Sequence, residues 1–148
     1  MRANLKQSQR GNALLEFAIG WSILWFLFSG VYQFGYAFFI YNVLQTQVAN
    51  AAELGSKLSY DSGNPSAYTT ALKNMVVYGD EASTGLSAVV PGLTTGNVSV
   101  VLNNASYPQD VTITITGYTI DAFFTRFTLA NKPRATAAYY GQVTCSTC

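Results

Sequence analysis

The chain contains no histidine and only two cysteines, and Asp, Glu, Lys and Arg together make up 10% of its 148 residues. The absence of histidine excludes Ser-His-Asp and Cys-His nucleophile arrangements and any histidine metal site. An ordinary soluble domain is about 25% charged, and a nucleic-acid-binding surface is strongly basic. Here the net charge is +1. We therefore expect no nucleic-acid partner.

The acidic residues also give no sign of a catalytic or metal site. There are seven of them, scattered along the chain, and no glycine-rich loop stands between a strand pattern and a helix pattern. The adjacent acids Asp80 and Glu81 are interpreted as a charged loop rather than as metal ligands. The sequence therefore predicts a protein that is not an enzyme and that has no cofactor and no metal.

The hydrophobic residues are concentrated in one segment. From Phe17 to Tyr41, 25 consecutive residues carry no charge, and a helix needs roughly 20 apolar residues to cross a bilayer core. Arg2, Lys6 and Arg10 precede this run without an intervening acid. The positive-inside rule then predicts a cytoplasmic N-terminus and an exported C-terminal part. A cleaved secretory signal is the alternative, but its apolar region is only about 7–15 residues long.

The helix pattern continues beyond the apolar run. Apolar residues recur there at steps of three and four: Leu44, Val48, Ala51, Leu54 and Leu58. We predict one helix from about Ala13 to about Leu58, apolar all round at first and amphipathic later. The turn-forming residues Asp61 to Asn64 end it.

Two stripes run along the apolar helix. Aromatic residues spaced by three and four form the first stripe: Trp21, Trp25, Phe28, Tyr32, Tyr36 and Phe39. Small or polar residues form the second: Ala18, Ser22, Ser29, Gln33 and Ala37. Small residues let helices approach closely in apolar surroundings, so we predict a helix that packs against other helices. A lipid-facing helix with incidental aromatics is the alternative.

The remainder predicts a small exported domain. Asn64-Pro65 and Gly79 bracket a short helix, because proline is favoured at the first helical position and glycine after the last. Alternating apolar and polar residues predict an antiparallel sheet with one buried and one wet face. Its strands are Val98–Leu102, Val111–Tyr118 and Arg134–Gln142, with Leu86–Val90 a candidate for a fourth. The predicted fold class is α+β, with a long N-terminal helix and a small head of three or four strands.

One motif lies at the start of the helix. It reads Gln9-Arg10-Gly11-Asn12-Ala13-Leu14-Leu15-Glu16-Phe17. This resembles the processing site of type IV pilin-like proteins, most of all those of the tight-adherence (Tad) branch, and the whole chain is similar to the TadE-like pseudopilins. The resemblance implies that a prepilin peptidase cuts between Gly11 and Asn12. It divides the chain into a basic leader (1–11), a long helix (12–60) that spans the membrane at about 17–41, and an exported head (61–148).

Glu16 and Phe17 are the residues that we expect to act in assembly. A carboxylate at the edge of an apolar helix can reach the membrane interface, whereas at the bilayer centre it would cost about 2.5–3.5 kcal/mol or more. Cleavage after Gly11 would give Asn12 a free ammonium group. Helices packed in a filament would bring such groups and carboxylates together, and pairing would fix the register of the subunits.

The resemblance also implies a function. TadE-like proteins are regarded as minor pseudopilins of Tad pili, which serve adhesion. The implied partners are other pilin or pseudopilin subunits, the prepilin peptidase, the inner membrane and the pilus assembly platform. The implied location is the inner membrane, with the head exported, and a surface filament after assembly. A principal filament subunit and a non-polymerising single-pass protein with an exported binding domain remain alternatives.

The chain ends in Cys145-Ser146-Thr147-Cys148. Outside the cytoplasm two nearby cysteines tend to oxidise, so we predict an intrachain disulfide between Cys145 and Cys148. A redox site is the weaker interpretation, because no helix N-terminus follows to stabilise a thiolate. Bonding between two chains is the third possibility.

Overall fold

The computed structural model describes residues 5–83, 86–122 and 124–145 and has an α+β fold. A long N-terminal apolar helix precedes a head that contains a shorter helix and short strands. The helices are α1 (Leu5–Lys57) and α2 (Pro65–Tyr78). The strands are β1 (Tyr60–Asp61), β2 (Val98–Leu102), β3 (Asp110–Ile115), β4 (Tyr118–Asp121), β5 (Arg126–Leu129), β6 (Arg134–Ala138) and β7 (Val143–Thr144).

Helix α1 is longer than the sequence pattern predicts. It begins at Leu5 rather than near Ala13, so part of the basic leader is helical. Lysine, glutamine and arginine are good helix formers, and no proline occurs before Pro65. A single Gly11 costs only about 1 kcal/mol relative to alanine. The early start was missed because the prediction followed apolar periodicity, which the leader lacks.

The chain forms two compact units, Met1–Tyr36 and Ala37–Cys148, and the division falls inside α1. In the first unit the side chains from Gly11 onward are exposed, apart from half-buried Ser29 and Gly30 and buried Gln33. In the second unit α1 contributes one face to the hydrophobic core. That face consists of Ile40, Leu44, Val48, Ala51 and Ala52. The predicted change from an all-apolar to an amphipathic helix is therefore confirmed.

Helix α2 has the predicted ends. Pro65 begins the helix, and Gly79 follows it with φ 74°, its N–H donating to the Met75 carbonyl. Asn64 makes no side-chain capping bond; its amide oxygen accepts instead from the Ser66 hydroxyl at 2.6 Å. The buried face contains Tyr68, Leu72, Val76 and Val77, and α2 contacts β2. The prediction that this face packs against the sheet is confirmed.

The described strands form three small sheets. β2, β3 and β6 make an antiparallel sheet in the order β2-β3-β6, β4 pairs with β5, and β1 pairs in parallel with β7. On β3, Val111, Ile113 and Ile115 are fully buried on the core face, whereas on the other face Thr112 is half-buried and Thr114 is 9% exposed. The predicted alternation between a core face and an outer face is confirmed.

Three strand predictions need correction: two strands end earlier than predicted, and one is absent. β3 ends at Ile115 rather than Tyr118, because Gly117 with φ 66° turns the chain before β4 begins. β6 ends at Ala138 rather than Gln142. Leu86–Val90 is not a strand. Its Val89 N–H donates at 2.8 Å to the carbonyl of Val77, near the C-terminal end of α2. Val90 belongs to the hydrophobic core and Val89 packs against it, an arrangement that the apolar pattern alone could not distinguish from a strand.

Candidate membrane-spanning and assembly surface

The exposed surface of α1 is the candidate functional site. Among the described residues, the stretch Gly11–Lys57 is the helix long and apolar enough to cross a membrane, and its most apolar part is not buried within the protein. The uncharged residues 17–41 would extend about 37 Å at 1.5 Å per residue, compared with about 30 Å for a bilayer core. The helix can therefore span a bilayer with some tilt.

The aromatic stripe is exposed along this surface. Trp21, Trp25, Phe28, Tyr32 and Phe39 have exposed fractions of 56–70%, and Tyr36 is 36% exposed. Phe17 belongs to the same stripe, because its ring stacks on that of Trp21 with centroids 6.2 Å apart and planes 20° apart. The prediction assigned Phe17 only to the motif, although its i, i+4 spacing to Trp21 was visible in the sequence.

The small and polar stripe differs in burial along its length. Ala18 and Ser22 are exposed, Ser29 and Ala37 are half-buried, and Gln33 is 8% exposed. The Ser22 hydroxyl donates to the Ala18 carbonyl at 2.8 Å, so its proton is used within the helix while its lone pairs can still accept a bond.

The two stripes meet in a shallow notch of about 380 Å³, lined by Trp21, Ser22 and Trp25. Because a serine lies between two large rings, a side chain from another helix can approach the α1 backbone here.

The motif residues lie on the same continuous helix. The Gly11–Asn12 bond is inside α1, and, apart from the adjoining residues and the helix's own backbone, no described atom lies within 4 Å of the position where a Gly11 side chain would begin. Glu16 is exposed and has no ion-pair partner among the side chains that the structure describes. A carboxylate without a partner among these described side chains is available for a charge from elsewhere.

The outward side of α1 changes chemistry after Tyr41. Asn42, Gln45, Thr46 and Asn50 are exposed there, and Glu53 forms an ion pair with Lys57 at 2.7 Å. This hydrogen bond and the positive charge of Lys57 lower the pKa of the Glu53 carboxyl. The exposed apolar surface of α1 therefore ends near Tyr41, where the charge-free run of the sequence also ends.

Two other predicted sites lie in the head. The Asp80 carboxylate accepts from the N–H groups of Ala82 and Ser83 at 2.7 and 3.2 Å, which shapes its own loop. Cys145 is exposed, and Cys148 lies outside the described residues, so the disulfide stays a prediction.

These features define an α+β protein whose N-terminal helix is a candidate membrane span. No protein-family model matches the chain, and comparison with curated proteins and with solved structures finds no match. Its function is therefore argued from the sequence motif and from the chemistry of its surfaces.

Proposed function

We propose that the chain is a minor pseudopilin of a tight-adherence type IV pilus. In this role it is a structural subunit without catalysis or a cofactor, held in the inner membrane by α1 and then assembled into a filament that supports adhesion. One observation carries the proposal. The Gly11…Glu16-Phe17 spacing stands near the start of a helix whose large apolar side chains are exposed from Leu14 to Phe39.

The exposed apolar surface requires a cover. Large contiguous apolar patches on a protein mark a membrane or a protein partner. Lipid can cover the helix before assembly, and the helices of other pilin or pseudopilin subunits can replace lipid afterwards. The notch at Ser22 offers a place for close helix contact, and the rings of Trp21 and Trp25 offer large areas on either side of it.

The basic leader supports the orientation and the processing step. Arg2, Lys6 and Arg10 favour retention of the N-terminus in the cytoplasm, with the head exported. A membrane-embedded prepilin peptidase would then cut the Gly11–Asn12 bond. Because this bond lies within a helix, cleavage requires local unwinding, and Gly11 makes that less costly than alanine would.

The position of Glu16 supports a specific role for its carboxylate in assembly. After cleavage, Asn12 carries an ammonium group four residues before the carboxylate. Away from water an unpaired carboxylate costs several kcal/mol, so a neighbouring subunit's ammonium group would select one helix register over others. Within its own chain Glu16 has no such partner among the described side chains.

The first experiment determines the intact mass and N-terminal residue of the protein isolated from its native cells. We expect a chain that begins at Asn12. A chain that retains residues 1–11 would contradict processing and would favour a single-pass membrane protein that never polymerises.

The second experiment compares Glu16→Ala with Glu53→Ala. The control removes the same charge from the same helix, beyond the apolar segment. We expect both variants in the membrane fraction but Glu16→Ala strongly depleted from sheared filaments. Normal incorporation of Glu16→Ala would refute charge pairing, and filaments made mainly of this chain would identify a principal subunit.

A further inference from the structure

The outer face of the β2-β3-β6 sheet carries a groove of about 310 Å³. It lies on the side opposite the hydrophobic core, and four of its seven lining residues are serine or threonine. The polar lining residues are Ser99, Thr112, Thr114, Thr116, Asn131 and Arg134. Small-molecule sites have volumes of about 300–1,000 Å³, so the groove matches a ligand the size of one small ring.

Strand register builds the groove. Ser99 on β2 lies opposite Thr114 on β3, and Thr114 lies opposite Arg134 on β6. Directly opposed residues have Cβ atoms about 4.5–5.5 Å apart, so these three side chains form one row across the sheet. Thr112 belongs to the next row, where its hydroxyl is 2.8 Å from that of Thr136. Each hydroxyl of that pair keeps free lone pairs for a ligand.

Two groups in the row have unused bonding capacity. Thr114 is 9% exposed, yet it lines the groove, and among the described residues its hydroxyl makes no hydrogen bond. Arg134 is the positively charged residue that lines the groove. It forms no ion pair with any residue that the structure describes. An accessible hydroxyl beside an exposed guanidinium fits a ligand that carries negative charge and oxygen atoms.

No carboxylate lines this groove in the described structure. The next acid on the same face of β3 is Asp110, two residues before Thr112. Its carboxylate accepts from the Asn103 side chain at 3.4 Å, toward the opposite end of the strand. The end of the face near Arg134 is therefore positive, which favours an anion over a cation.

We propose that this groove binds a sugar ring that bears a carboxylate, such as a uronic acid. Arg134 binds the carboxylate, because a guanidinium presents paired N–H donors that fit two carboxylate oxygens. Hydroxyl side chains both donate and accept, as sugar hydroxyls do. Val101, which is 55% exposed, adds an apolar wall for the C–H face of the ring. A simple oxyanion only accepts hydrogen bonds and would leave the side-chain acceptors and Val101 unused.

The test titrates the full-length protein, in a sugar-free detergent, with galacturonate, galactose and inorganic sulfate. Saturation-transfer NMR and calorimetry measure the binding. We expect galacturonate to bind at least about tenfold more tightly than galactose, since a charge-assisted hydrogen bond contributes about 1.5–3 kcal/mol. Arg134→Gln should weaken galacturonate binding by about the same factor and leave galactose unchanged.

Matched variants distinguish binding in this groove from nonspecific attraction to a positively charged surface. Thr114→Val removes the groove hydroxyl with little change of shape and should weaken the binding of both sugars, whereas Arg126→Gln, which removes an exposed cation on β5, should weaken the binding of neither. Circular dichroism checks that each variant is folded. Sulfate binding as tight as galacturonate binding would reveal an adventitious ion only, and no sugar binding or an equal effect of Arg126→Gln would also overturn the proposal. The result is independent of filament assembly, because it is measured on the isolated chain.

Discussion

The hydroxyl groups of Tyr68 and Tyr139 lie within hydrogen-bond distance of backbone carbonyls at the C-terminal end of α1. The last four carbonyls of a helix have no partner within it. The Tyr68 hydroxyl donates to the Gly55 carbonyl at 2.6 Å, and the Tyr139 hydroxyl, with one proton to donate, lies 3.0 Å from the Leu58 carbonyl oxygen just beyond the helix and 2.9 Å from that of Gln142. The Tyr68 ring meets those of Tyr60 and Tyr139 edge-on, with centroids 5.3 and 6.4 Å apart. The three rings therefore connect α1, α2 and the C-terminal segment.

Stability at high pH should depend on Tyr68. Burial raises the pKa of its hydroxyl above the ordinary value of 10.0, and the nearby Tyr139 and Tyr60 raise it further. Above that value the unfolded tyrosine loses its proton while the folded one keeps it, so the unfolded state is favoured. The stability linked to this proton is complete below pH 10.0 and is lost as the pH rises toward the folded pKa.

Tyr68→Phe tests this dependence. We expect a loss of about 1–3 kcal/mol near neutral pH, because the Gly55 carbonyl loses its donor, and a shallower fall in stability at alkaline pH. Urea unfolding measured below and above pH 10.0, with near-UV circular dichroism as the signal, gives both effects. Tyr107→Phe is the control, since Tyr107 is 71% exposed. If the free energy of unfolding fell with alkaline pH equally steeply in Tyr68→Phe and wild type, the proton linkage would be contradicted.

At the scale of elements, the C-terminal segment holds the end of α1 in place. β7 pairs with β1, and the Tyr60 N–H donates to the Gln142 carbonyl at 2.9 Å. The Tyr140 N–H donates to the Ser56 carbonyl at 2.8 Å. Gly141 stands between these bonds, and a Cβ atom there would lie 2.6 Å from the Leu58 carbonyl oxygen. The contact is with backbone, so it cannot be relieved by moving the end of a flexible side chain.

Gly141→Ala should therefore destabilise the head by about 1–3 kcal/mol, the usual range for overpacking. Gly96→Ala is the control, because the nearest atom to its added Cβ would be the Thr94 hydroxyl oxygen at 3.6 Å, an ordinary contact. We expect that control to change stability by no more than about 0.5 kcal/mol. Thermal unfolding of the two variants gives the comparison, and equal melting temperatures would show that the close approach is not a constraint.

At the scale of the whole molecule, both tryptophans belong to the candidate membrane span. Trp21 and Trp25 are 56% and 68% exposed on α1, and the head contains no tryptophan. Tryptophan fluorescence therefore reports the surroundings of the helix alone. An exposed indole emits at shorter wavelength in lipid than in water, since the dipoles of water relax around the excited state.

In liposomes we expect blue-shifted emission that brominated lipids quench. Trp21→Phe and Trp25→Phe, each with one remaining tryptophan, should both retain the quenching, because the two positions are one turn apart within the apolar run. Iodide in the aqueous phase should quench little. Emission that iodide quenches and brominated lipids do not would contradict membrane insertion of this helix.

Much of the local structure could be predicted because its signals are local. The amphipathic continuation through Leu44 and Val48, the ends of α2 at Pro65 and Gly79, and the alternation on β3 all follow from neighbouring residues. The Glu16 motif and the aromatic stripe were also visible. The sequence pattern failed at Leu86–Val90, where a short apolar run suits a strand and a loop that buries only its last residue equally well.

Local periodicity was therefore enough to predict the two helices, the strands β2, β3 and β6 and the long charge-free surface, but not β1, β4, β5 and β7. Which distant residues meet could be seen only in the packed fold. Tyr139 contacts Leu58 across 81 positions, and Ser99, Thr114 and Arg134 form one row from three strands. Periodicity repeats over a few residues and reports which face is apolar, whereas strand order and the tyrosine contacts depend on packing the whole head at once.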